Sequence, residues 1–253
     1  MAIRKILFLF TFLLINSVSF CQEIKIDTTA IEKKNQFKFK YKQLIIPTVL
    51  IGYGIIGLES DDLKLFNSEI SEEVTEHIDQ KITIDDFAQY APLGTYIALD
   101  FAGVKGKNTR KDKLIIATTS HLIMGLTVMI LKKTTKVERP DKTSFDSFPS
   151  GHTATAFTGA ELLYQEYKDV SVWYGISGYV VATGVGVFRM YNNRHWFTDV
   201  VAGAGIGILS VKAAYWLCPT INKLFNTKES NTKTVVIPYY DGKIIGFGLV
   251  SNF

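Results

Sequence analysis

The chain has 253 residues, of which 47% are apolar, 13% aromatic and 21% charged, and its mean hydropathy is +0.14. That length suits one good-sized domain, and the composition lies between that of a typical soluble protein and that of a wholly membrane-embedded one. The net charge of +4 is small, and no basic stripe with interleaved aromatic residues is present, so we expect no nucleic-acid partner.

The first 21 residues have the layout of a secretory signal peptide: a basic pair, an apolar run at residues 6–15, then small and polar residues. Cleavage near Cys21 is the favoured outcome. An uncleaved anchor and lipidation of Cys21 are the alternatives, although the bulky Phe20 fits a lipoprotein signal poorly. If the signal peptide is removed, Cys218 is the one remaining cysteine, and an intrachain disulfide is excluded.

Residues 22–43 are polar and lysine-rich and predict a linker, and residues 44–217 predict a helical domain. Within it, the acidic residues 59–86 favour a solvated helix and loop. The remaining segments are apolar and of helical length: 44–58, 87–104, 114–131, 153–167, 172–188 and 200–217. The predicted fold class is therefore all-α, a membrane-embedded bundle of about six helices, with residues 44–58 short for a span.

The tail, residues 218–253, differs in kind from the helical domain. Its last part alternates β-forming residues around Asp241-Gly242, a dipeptide typical of tight hairpin turns. The sequence therefore predicts a short C-terminal β-hairpin that is appended to the helical bundle.

Three polar clusters interrupt the apolar residues between positions 132 and 199, the motif core of the helical domain. In chain order they are Lys132-x6-Arg139-Pro140, Pro149-Ser150-Gly151-His152 and Arg189-x5-His195-x3-Asp199. Asp141 and Asp146 fall between the first two clusters, and we interpret them as turn and cap residues. Nearby lysines are interpreted as solvated residues close to an anionic ligand: Lys133, Lys136 and Lys142.

The cations of these clusters suit the binding of a phosphoryl group. Lys132, Arg139 and Arg189 can clamp a tetrahedral oxyanion, arginine through a planar fork of donors and lysine as a point charge. Ser150 and Gly151 open a predicted helix, whose first backbone N–H groups favour an anion. The site would then supply its positive charge without a metal ion or a cofactor.

The histidines of the clusters suit the transfer of that group. His195 and Asp199 lie four residues apart, so on a helix they share a face. There the carboxylate can hold one ring nitrogen and leave the other as a nucleophile or base. His152 is a second titrating group, suited to protonate a leaving oxygen. Together the clusters predict a phosphoryl-transfer site.

The clusters resemble the Lys-x6-Arg-Pro, Pro-Ser-Gly-His and Ser-Arg-x5-His-x3-Asp motifs of the type-2 phosphatidic acid phosphatase / vanadium haloperoxidase superfamily. The resemblance covers residues 85–217, and the two ends of the chain lie outside it. One position departs from the family pattern, because Phe188 stands where the family usually has serine before the arginine. That change removes one expected hydrogen bond to phosphate.

The resemblance implies a role for each residue of the clusters. His195 would attack phosphorus and form a phosphohistidine, Asp199 would orient it, and His152 would protonate the departing alkoxide. The three cations, together with Ser150 and the Gly151 amide, would hold the phosphoryl oxygens. Negative charge spreads over these oxygens in the transition state, so positioned cations supply much of the catalysis.

We therefore expect a metal-independent phosphoric monoester hydrolase that removes a phosphate from a membrane lipid phosphate or pyrophosphate. Phosphatidate, undecaprenyl pyrophosphate and lipid A are the candidate substrates. A non-specific periplasmic acid phosphatase acting on soluble esters and a vanadate-dependent haloperoxidase are the alternatives. The expected partner is the lipid itself, in the bacterial inner membrane.

The charge pattern also predicts an orientation in that membrane. Five cations at residues 105–113 favour a cytoplasmic loop, so the following helix carries the chain outward and the clusters face the periplasm. Helices 153–167 and 172–188 return the chain to the same side. The N-terminal part of the chain gives two conflicting predictions. Counting the spans backward from the cytoplasmic loop puts residues 22–43 inside the cell, whereas a cleaved signal peptide puts them outside.

Overall fold

The computed structural model describes residues 41–76, 83–225, 233–240 and 245–252. The predicted signal peptide, residues 1–21, and nearly all of the predicted linker lie outside the described residues. The described part of the chain is mostly helical, which confirms the helical character that the sequence predicts.

Seven α-helices of eleven residues or more, one short helix and a 3-10 turn make up the described residues up to position 225. In chain order they are the 3-10 turn Tyr41–Leu44, α1 Ile45–Glu59, α2 Asp61–Thr75, the short α3 Ile84–Ala88, α4 Ala91–Phe101, α5 Arg110–Thr135, α6 Gly151–Tyr167, α7 Val172–Tyr191 and α8 Phe197–Phe225.

The structure divides one predicted helix and lengthens several others, most of all the last, which runs from Phe197 to Phe225 where the sequence predicts 200–217. The single segment predicted at 87–104 is split between α3 and α4, since Pro92 lies in the first turn of α4, where its missing N–H is tolerated. The eleven residues of α4 reach about 16 Å, half of a bilayer's apolar thickness. At α1 the 3-10 turn extends the helical stretch to Tyr41–Glu59, which has 19 residues.

Three helices are long and apolar enough to cross a membrane, by length and composition: Tyr41–Glu59, Arg110–Thr135 and Phe197–Leu224. Their burial inside the protein differs. In the most apolar window of each, 67% of the residues of Phe197–Leu224 are buried, against 17% and 22% in the other two. α8 is therefore the central span, and α1 and α5 are the peripheral ones.

Small residues set the directions of the helices around α8. A Cβ atom added at Gly54 of α1 would lie 2.5 Å from the Ala202 Cβ of α8, and one at Gly205 would lie 2.9 Å from the Pro47 carbonyl oxygen. α1 and α8 therefore run antiparallel. α5 is also antiparallel to α8, because Asp112 near its start accepts a hydrogen bond from Asn222 near the end of α8.

These directions bring the end of α5 and the start of α8 together at one end of the bundle. The same end holds the start of α6, since a Cβ atom at Gly203 of α8 would lie 2.6 Å from the Ser150 carbonyl oxygen. α7 runs antiparallel to α6 and ends there too, with Gly178 close to Ala160 and Gly186 close to Thr153. We call this end of the bundle the site end.

The opposite end is closed by a buried carboxylate on α6. Glu166 accepts hydrogen bonds from the Asn108 backbone N–H at 2.6 Å and from the Tyr215 hydroxyl at 3.1 Å, and it lies 3.8 Å from the Lys113 Nζ. Because a buried charge is tolerated only when it is paired and hydrogen-bonded, these contacts tie the approach to α5 and the second half of α8 to α6.

The tail contains two strands, β1 at Lys233–Tyr240 and β2 at Ile245–Asn252, which pair antiparallel. The turn that the sequence predicts at Asp241-Gly242 lies outside the described residues, so the C-terminal hairpin stays a prediction. Among the described residues up to position 225 there is no strand.

Candidate active site

Asp199 lies in the first turn of α8, whereas His195 lies two residues before the helix begins at Phe197, so the pair does not share a helical face as the sequence predicts. Both residues are buried, with 3% of the surface of His195 and 1% of that of Asp199 exposed. The Asp199 carboxylate accepts hydrogen bonds from the Ser147 hydroxyl at 2.5 Å and from the Trp196 N–H at 2.9 Å. His195 Nδ1 lies 3.7 Å from Asp199 Oδ2, which is longer than a hydrogen bond. The carboxylate thus faces the ring that the sequence predicts it to orient, without bonding to it here.

The surroundings of His195 favour its neutral form. Burial lowers its pKa, the neighbouring Asp199 opposes that effect, and the positive charges of Lys132 and Arg189 lower the pKa further, to about 4. A neutral imidazole is the form that can act as a nucleophile. Backbone contacts bring the end of α7 and the starts of α6 and α8 together: the Arg194 N–H donates to the Arg189 carbonyl oxygen at 3.0 Å, and the Ser150 N–H donates to the Asp199 carbonyl oxygen at 3.0 Å.

The Ser150 side chain forms the N-cap of α6. Its hydroxyl accepts a hydrogen bond from the Thr153 N–H at 3.4 Å and bonds to the Thr153 hydroxyl at 2.9 Å, and its own N–H donates to the Asp199 carbonyl oxygen at 3.0 Å. Gly151 follows, and a Cβ atom at that position would lie 4.0 Å from the Lys132 Cε. The positive end of the α6 dipole therefore lies beside Lys132.

Lys132 and Arg139 share Asp146 as a counter-ion. Arg139 forms a two-point contact with its carboxylate, at 2.9 Å from Nε and 3.1 Å from a terminal nitrogen, and Lys132 donates to the Asp146 carbonyl oxygen. Burial tends to raise the pKa of Asp146, but the Ser144 hydroxyl and the charges of Lys132 and Arg139 lower it more, so the net pKa lies below 3.8. Asp146 is thus the counter-ion of two site cations and more than a turn or cap residue.

Arg189 and His152 meet a pair of carboxylates on α3. Arg189 donates to Asp85 Oδ2 at 2.7 Å and lies 3.6 Å from Asp86 Oδ1, which is 2.9 Å from His152 Nε2. The Asp85 carboxylate is buried and also accepts from the Asn192 side chain at 3.0 Å. The acidic stretch that the sequence predicts as a solvated loop therefore supplies two residues of the site.

The pKa of His152 is also lowered from 6.5, for different reasons. Burial and the charge of Arg189 lower it, whereas the hydrogen bond to Asp86 and the charges of Asp86 and Asp85 raise it. Asp86 is thus the group that keeps His152 closer to protonation, the state required of a general acid.

Loop contacts hold the two halves of the site together. The Arg194 guanidinium lies 3.2 Å from the Asp141 carboxylate, and the Trp196 indole N–H donates to the Glu138 carbonyl oxygen at 2.8 Å. From α2, the Asn67 side chain donates to the Thr198 hydroxyl at 2.9 Å and accepts from the Thr198 N–H at 3.2 Å. The first turn of α8, on which His195 depends, is thereby fixed from both sides.

The eight residues that the sequence predicts for the site all lie at the site end, and six of them form three pairings, with Ser150 and Gly151 at the start of α6. Lys132 and Arg139 meet at Asp146, Arg189 and His152 meet at the α3 carboxylates, and His195 faces Asp199. Phe188, at the position that departs from the family pattern, packs edge-to-face on the Tyr191 ring.

Sequence reasoning missed the partners of these residues: Asp85, Asp86, Asp146 and Ser147. Three are acidic residues in polar stretches, and the fourth is a serine just before the second cluster. No spacing rule connects any of them to a cluster. Adjacent acidic residues directly before an apolar segment, as at Asp85-Asp86, are the one local sequence feature that could have pointed to these partners.

One group of potential metal ligands lies at this end of the molecule. Ligand atoms of Asp85, Asp86 and His152 lie within 4.8 Å of one another. Arg189 already pairs with both carboxylates, and a guanidinium in that position opposes a cation. The donor set therefore fits an ion pair with Arg189 better than a metal ion.

A sequence model of the PAP2 superfamily matches residues 113–223, which include all three clusters. These residues form a PAP2 domain. The superfamily that the motifs predict is thereby confirmed, and together with three membrane-capable helices the match supports a membrane protein.

Two curated proteins resemble the PAP2 domain and its surroundings. The lipid A 1-phosphatase of Porphyromonas gingivalis is 36% identical over 168 residues, which are 63% of this chain and 38% of that protein. The bacitracin transport permease protein BcrC of Bacillus licheniformis is 34% identical over 77 residues, 30% of this chain and 36% of that protein. The chain thus spans well under half the length of either relative.

Two solved structures are similar to the fold around the PAP2 domain. LpxE of Aquifex aeolicus matches with a TM-score of 0.40 and 21% identity, over 70% of this chain and 96% of that one. The transmembrane PAP2 type phosphatidylglycerolphosphate phosphatase of Bacillus subtilis matches with a TM-score of 0.44 and 19% identity, over 73% and 98% of the two chains.

Proposed function

We propose that the protein is a phosphatase that removes a phosphate from a membrane lipid phosphate or pyrophosphate, through a phosphohistidine on His195 and without a metal ion. Lipid A or a related envelope lipid is the favoured substrate class, because the P. gingivalis relative, a lipid A 1-phosphatase, is 36% identical over 63% of this chain. Phosphatidate and undecaprenyl pyrophosphate are the other members of the class.

The observation that carries the proposal is that Arg189 Nε, a buried donor at the site end, has no hydrogen-bond partner among the described residues; Arg139 Nε, His195 Nδ1 and Asp199 Oδ1 also lack one. Such atoms are rare in folded proteins, and each needs an explanation. Lys132 and Arg189 both act electrostatically on His195, so an oxyanion held there would be next to a neutral nucleophile. Arg189 would then donate its remaining nitrogen to the oxyanion.

The chemical steps follow from these positions. Asp199 orients His195 through Nδ1, and Nε2 attacks phosphorus as the bond from phosphorus to the lipid oxygen breaks. His152 donates a proton to that oxygen. Water then attacks the phosphohistidine while His152 takes its proton, and the phosphorus–nitrogen bond breaks to release inorganic phosphate.

The remaining site residues stabilise the charge that develops on the phosphoryl oxygens. Lys132, Arg139 and Arg189 supply fixed positive charge, and Ser150 and Gly151 add the N-terminal end of α6. Positioned cations and helix dipoles of this kind supply much of the rate of phosphoryl transfer.

We place the enzyme in the bacterial inner membrane with its site facing the periplasm. The cationic residues 105–113 lie at the opposite end of the bundle, which supports this orientation under the positive-inside rule. A signal peptide at residues 1–21, a linker at 22–43, a helical domain at 44–217 and a tail at 218–253 are the predicted organisation, although the described helices begin at Tyr41 and α8 continues to Phe225.

The proposal is tested by phosphate release from purified protein in detergent with EDTA. The substrates are phosphatidate, undecaprenyl pyrophosphate, lipid A and p-nitrophenyl phosphate. We expect turnover of at least one lipid to exceed that of the soluble ester and to survive EDTA. Equal turnover of the soluble ester would instead favour a general acid phosphatase, and activity that needs added Mg²⁺ would contradict the metal-free mechanism.

The nucleophile is tested with His195→Ala, which should lower kcat by about 10³-fold or more because it removes the attacking atom. His121→Ala is the matched control, since His121 lies outside the clusters and bonds through Nδ1 to the Ala117 carbonyl oxygen of its own helix at 2.8 Å. Substantial activity in His195→Ala, or an equal loss in both variants, would remove His195 from this role.

A further inference from the structure

The Asp199 carboxylate is held by donors at one of its two oxygens. Oδ2 accepts hydrogen bonds from the Ser147 hydroxyl at 2.5 Å and from the Trp196 N–H at 2.9 Å. Oδ1 is buried and has no hydrogen-bond partner among the described residues, and the same is true of His195 Nδ1. Two donors therefore fix one oxygen, and the other oxygen is left as an acceptor close to the ring.

The ring requires that acceptor for the proposed reaction. If Nε2 attacks phosphorus, the proton of the neutral ring is on Nδ1, so Nδ1 is a hydrogen-bond donor. His195 Nδ1 lies 3.7 Å from Asp199 Oδ2, which is longer than a hydrogen bond. A carboxylate oxygen has two lone pairs, and those of Oδ2 are already taken by Ser147 and Trp196. Oδ1 is thus the oxygen that is available to the ring.

Ser147 is itself held in place without help from the ring. It is fully buried, and its N–H donates to the Val137 carbonyl oxygen at 2.9 Å, which ties it to the loop after α5. Three residues further on, the Ser150 N–H donates to the Asp199 carbonyl oxygen at 3.0 Å. The loop that leads into α6 therefore holds Asp199 by both its side chain and its backbone.

The charged groups that act on His195 come from three elements. Burial lowers the pKa of His195, Asp199 of α8 raises it, and the charges of Lys132 of α5 and Arg189 of α7 lower it further. A hydrogen-bond donor to a carboxylate stabilises the negative charge and so weakens its action on a neighbouring group. The Ser147 hydroxyl therefore limits the effect of Asp199 on the ring and favours the neutral form.

We infer that Ser147 is a positioning residue of the site: it fixes Asp199 Oδ2, leaves Oδ1 for the Nδ1–H of His195, and limits how strongly the carboxylate acts on the ring. Its effect reaches the nucleophile through Asp199. The inference rests on the proposed function and deepens it, because it assigns a task to a residue that belongs to none of the three clusters.

Three variants separate the hydroxyl from the fold. Ser147→Ala removes one donor, but Asp199 Oδ2 keeps the Trp196 N–H, so no buried acceptor is left without a partner there and we expect the variant to fold. Ser147→Cys is the second variant, since a thiol is close in size and a weaker donor. Ser210→Ala is the matched control: Ser210 is also buried, and its hydroxyl donates to the Ile206 carbonyl oxygen of its own helix at 2.8 Å.

The first measurement is the titration of His195 by nitrogen NMR of the full chain in detergent, with the signals assigned by their loss in His195→Ala. We expect Ser147→Ala to raise the pKa of His195 from about 4 by about 1, Ser147→Cys to raise it less, and Ser210→Ala to leave it in place. An unchanged or lower pKa in Ser147→Ala, or an equal rise in Ser210→Ala, would overturn the inference. If Ser147→Ala does not fold, Ser147→Cys decides by the same criterion.

Kinetics separate this inference from the proposed function. Because Ser147 acts through Asp199, Ser147→Ala should lower kcat on phosphatidate by about tenfold and leave KM unchanged. The rise of kcat/KM that follows the loss of the His195 proton should move to higher pH. A kcat equal to that of the unmodified protein, or a change confined to KM, would contradict the positioning role. If the unmodified protein hydrolyses no substrate, the proposed function fails, and the His195 titration still decides the inference because it does not depend on turnover.

Discussion

At the residue scale, the two predicted site histidines both have lowered pKa values, but their neighbours differ. His195 is almost fully buried beside Lys132 and Arg189, and both effects favour the neutral ring of a nucleophile. His152 is more exposed and contacts Asp86 at 2.9 Å; its pKa is also lowered, by burial and the charge of Arg189, and Asp86 limits that shift. Environments that separate the roles of two titrating groups are typical of acid–base catalysis.

These pKa shifts predict an acidic optimum for kcat/KM. Activity should rise with pH as His195 loses its proton, near its pKa of about 4. It should fall again as His152 loses its proton, below pH 6.5, because the pKa of His152 is lowered from that value. A pH profile of kcat/KM on phosphatidate measures both limbs, and a profile that is flat from pH 4 to pH 6.5 would contradict the assignment.

The Asp86→Asn variant tests whether the fall of kcat/KM at higher pH reports the loss of the proton from His152. Losing the charge and hydrogen bond of Asp86 lowers the pKa of His152 further, so the alkaline limb should move to lower pH while the acidic limb stays. Asp62→Asn, on the exposed first turn of α2, is the control and should leave both limbs in place. If Asp86→Asn does not move the alkaline limb, that limb does not report His152.

At the element scale, close helix contacts position the site. α1 reaches the first turns of α8 only because glycines leave room: a Cβ atom at Gly57 would lie 2.5 Å from the Thr198 Cγ2. Asn67 of α2 then binds the Thr198 N–H at 3.2 Å, one of the free donors at the start of α8. Such small-residue contacts let helices in membranes approach closely.

Two glycines on α1 offer a matched test of that packing. Gly54→Ala should lower the free energy of unfolding by about 1–3 kcal/mol, because its Cβ would lie 2.5 Å from the Ala202 Cβ. At Gly52 a Cβ atom meets nothing within 4 Å, so Gly52→Ala should stabilise the helix by up to about 1 kcal/mol. Thermal unfolding in detergent compares them, and equal midpoints would contradict the packing.

At the scale of the whole molecule, the directions of the helices constrain how the protein is oriented in the membrane. α1 and α5 are both antiparallel to α8, so Tyr41 and Arg110 lie at the end opposite the site. A periplasmic site therefore puts Tyr41 in the cytoplasm. Cleavage of a signal peptide near Cys21 would put the following residues outside, so the two expectations about topology exclude each other unless the chain crosses the membrane once more.

Cysteine labelling decides the orientation. In spheroplasts, a membrane-impermeant maleimide should label Lys136→Cys at the site end, whereas Lys105→Cys and Tyr41→Cys should react only after permeabilisation. Identical labelling of Tyr41→Cys and Lys136→Cys would contradict the parallel arrangement of α1 and α5. The reverse pattern at all three positions would place the site in the cytoplasm and favour a translocated N-terminus.

The sequence by itself predicted a phosphoryl-transfer chemistry and determined the helical class of this protein. Ser150 caps the helix that begins at Gly151, as the sequence predicts, but His195 and Asp199 do not share a helical face, because α8 begins only at Phe197. Apolar segment lengths likewise predicted most helices, although the break before α4 and the extension at Tyr41 depended on local turns.

Only the tertiary structure decided which charges meet. Asp85 and Asp86 are more than sixty residues away from His152 in the chain, and Asp146 lies outside every motif, yet these carboxylates pair with the site cations. The physical reason is that a buried charge must be paired, and the packing of the helices decides which residue lies close enough to pair with it. The same packing directions decided that Tyr41 lies opposite the site, which no local pattern in the sequence encodes.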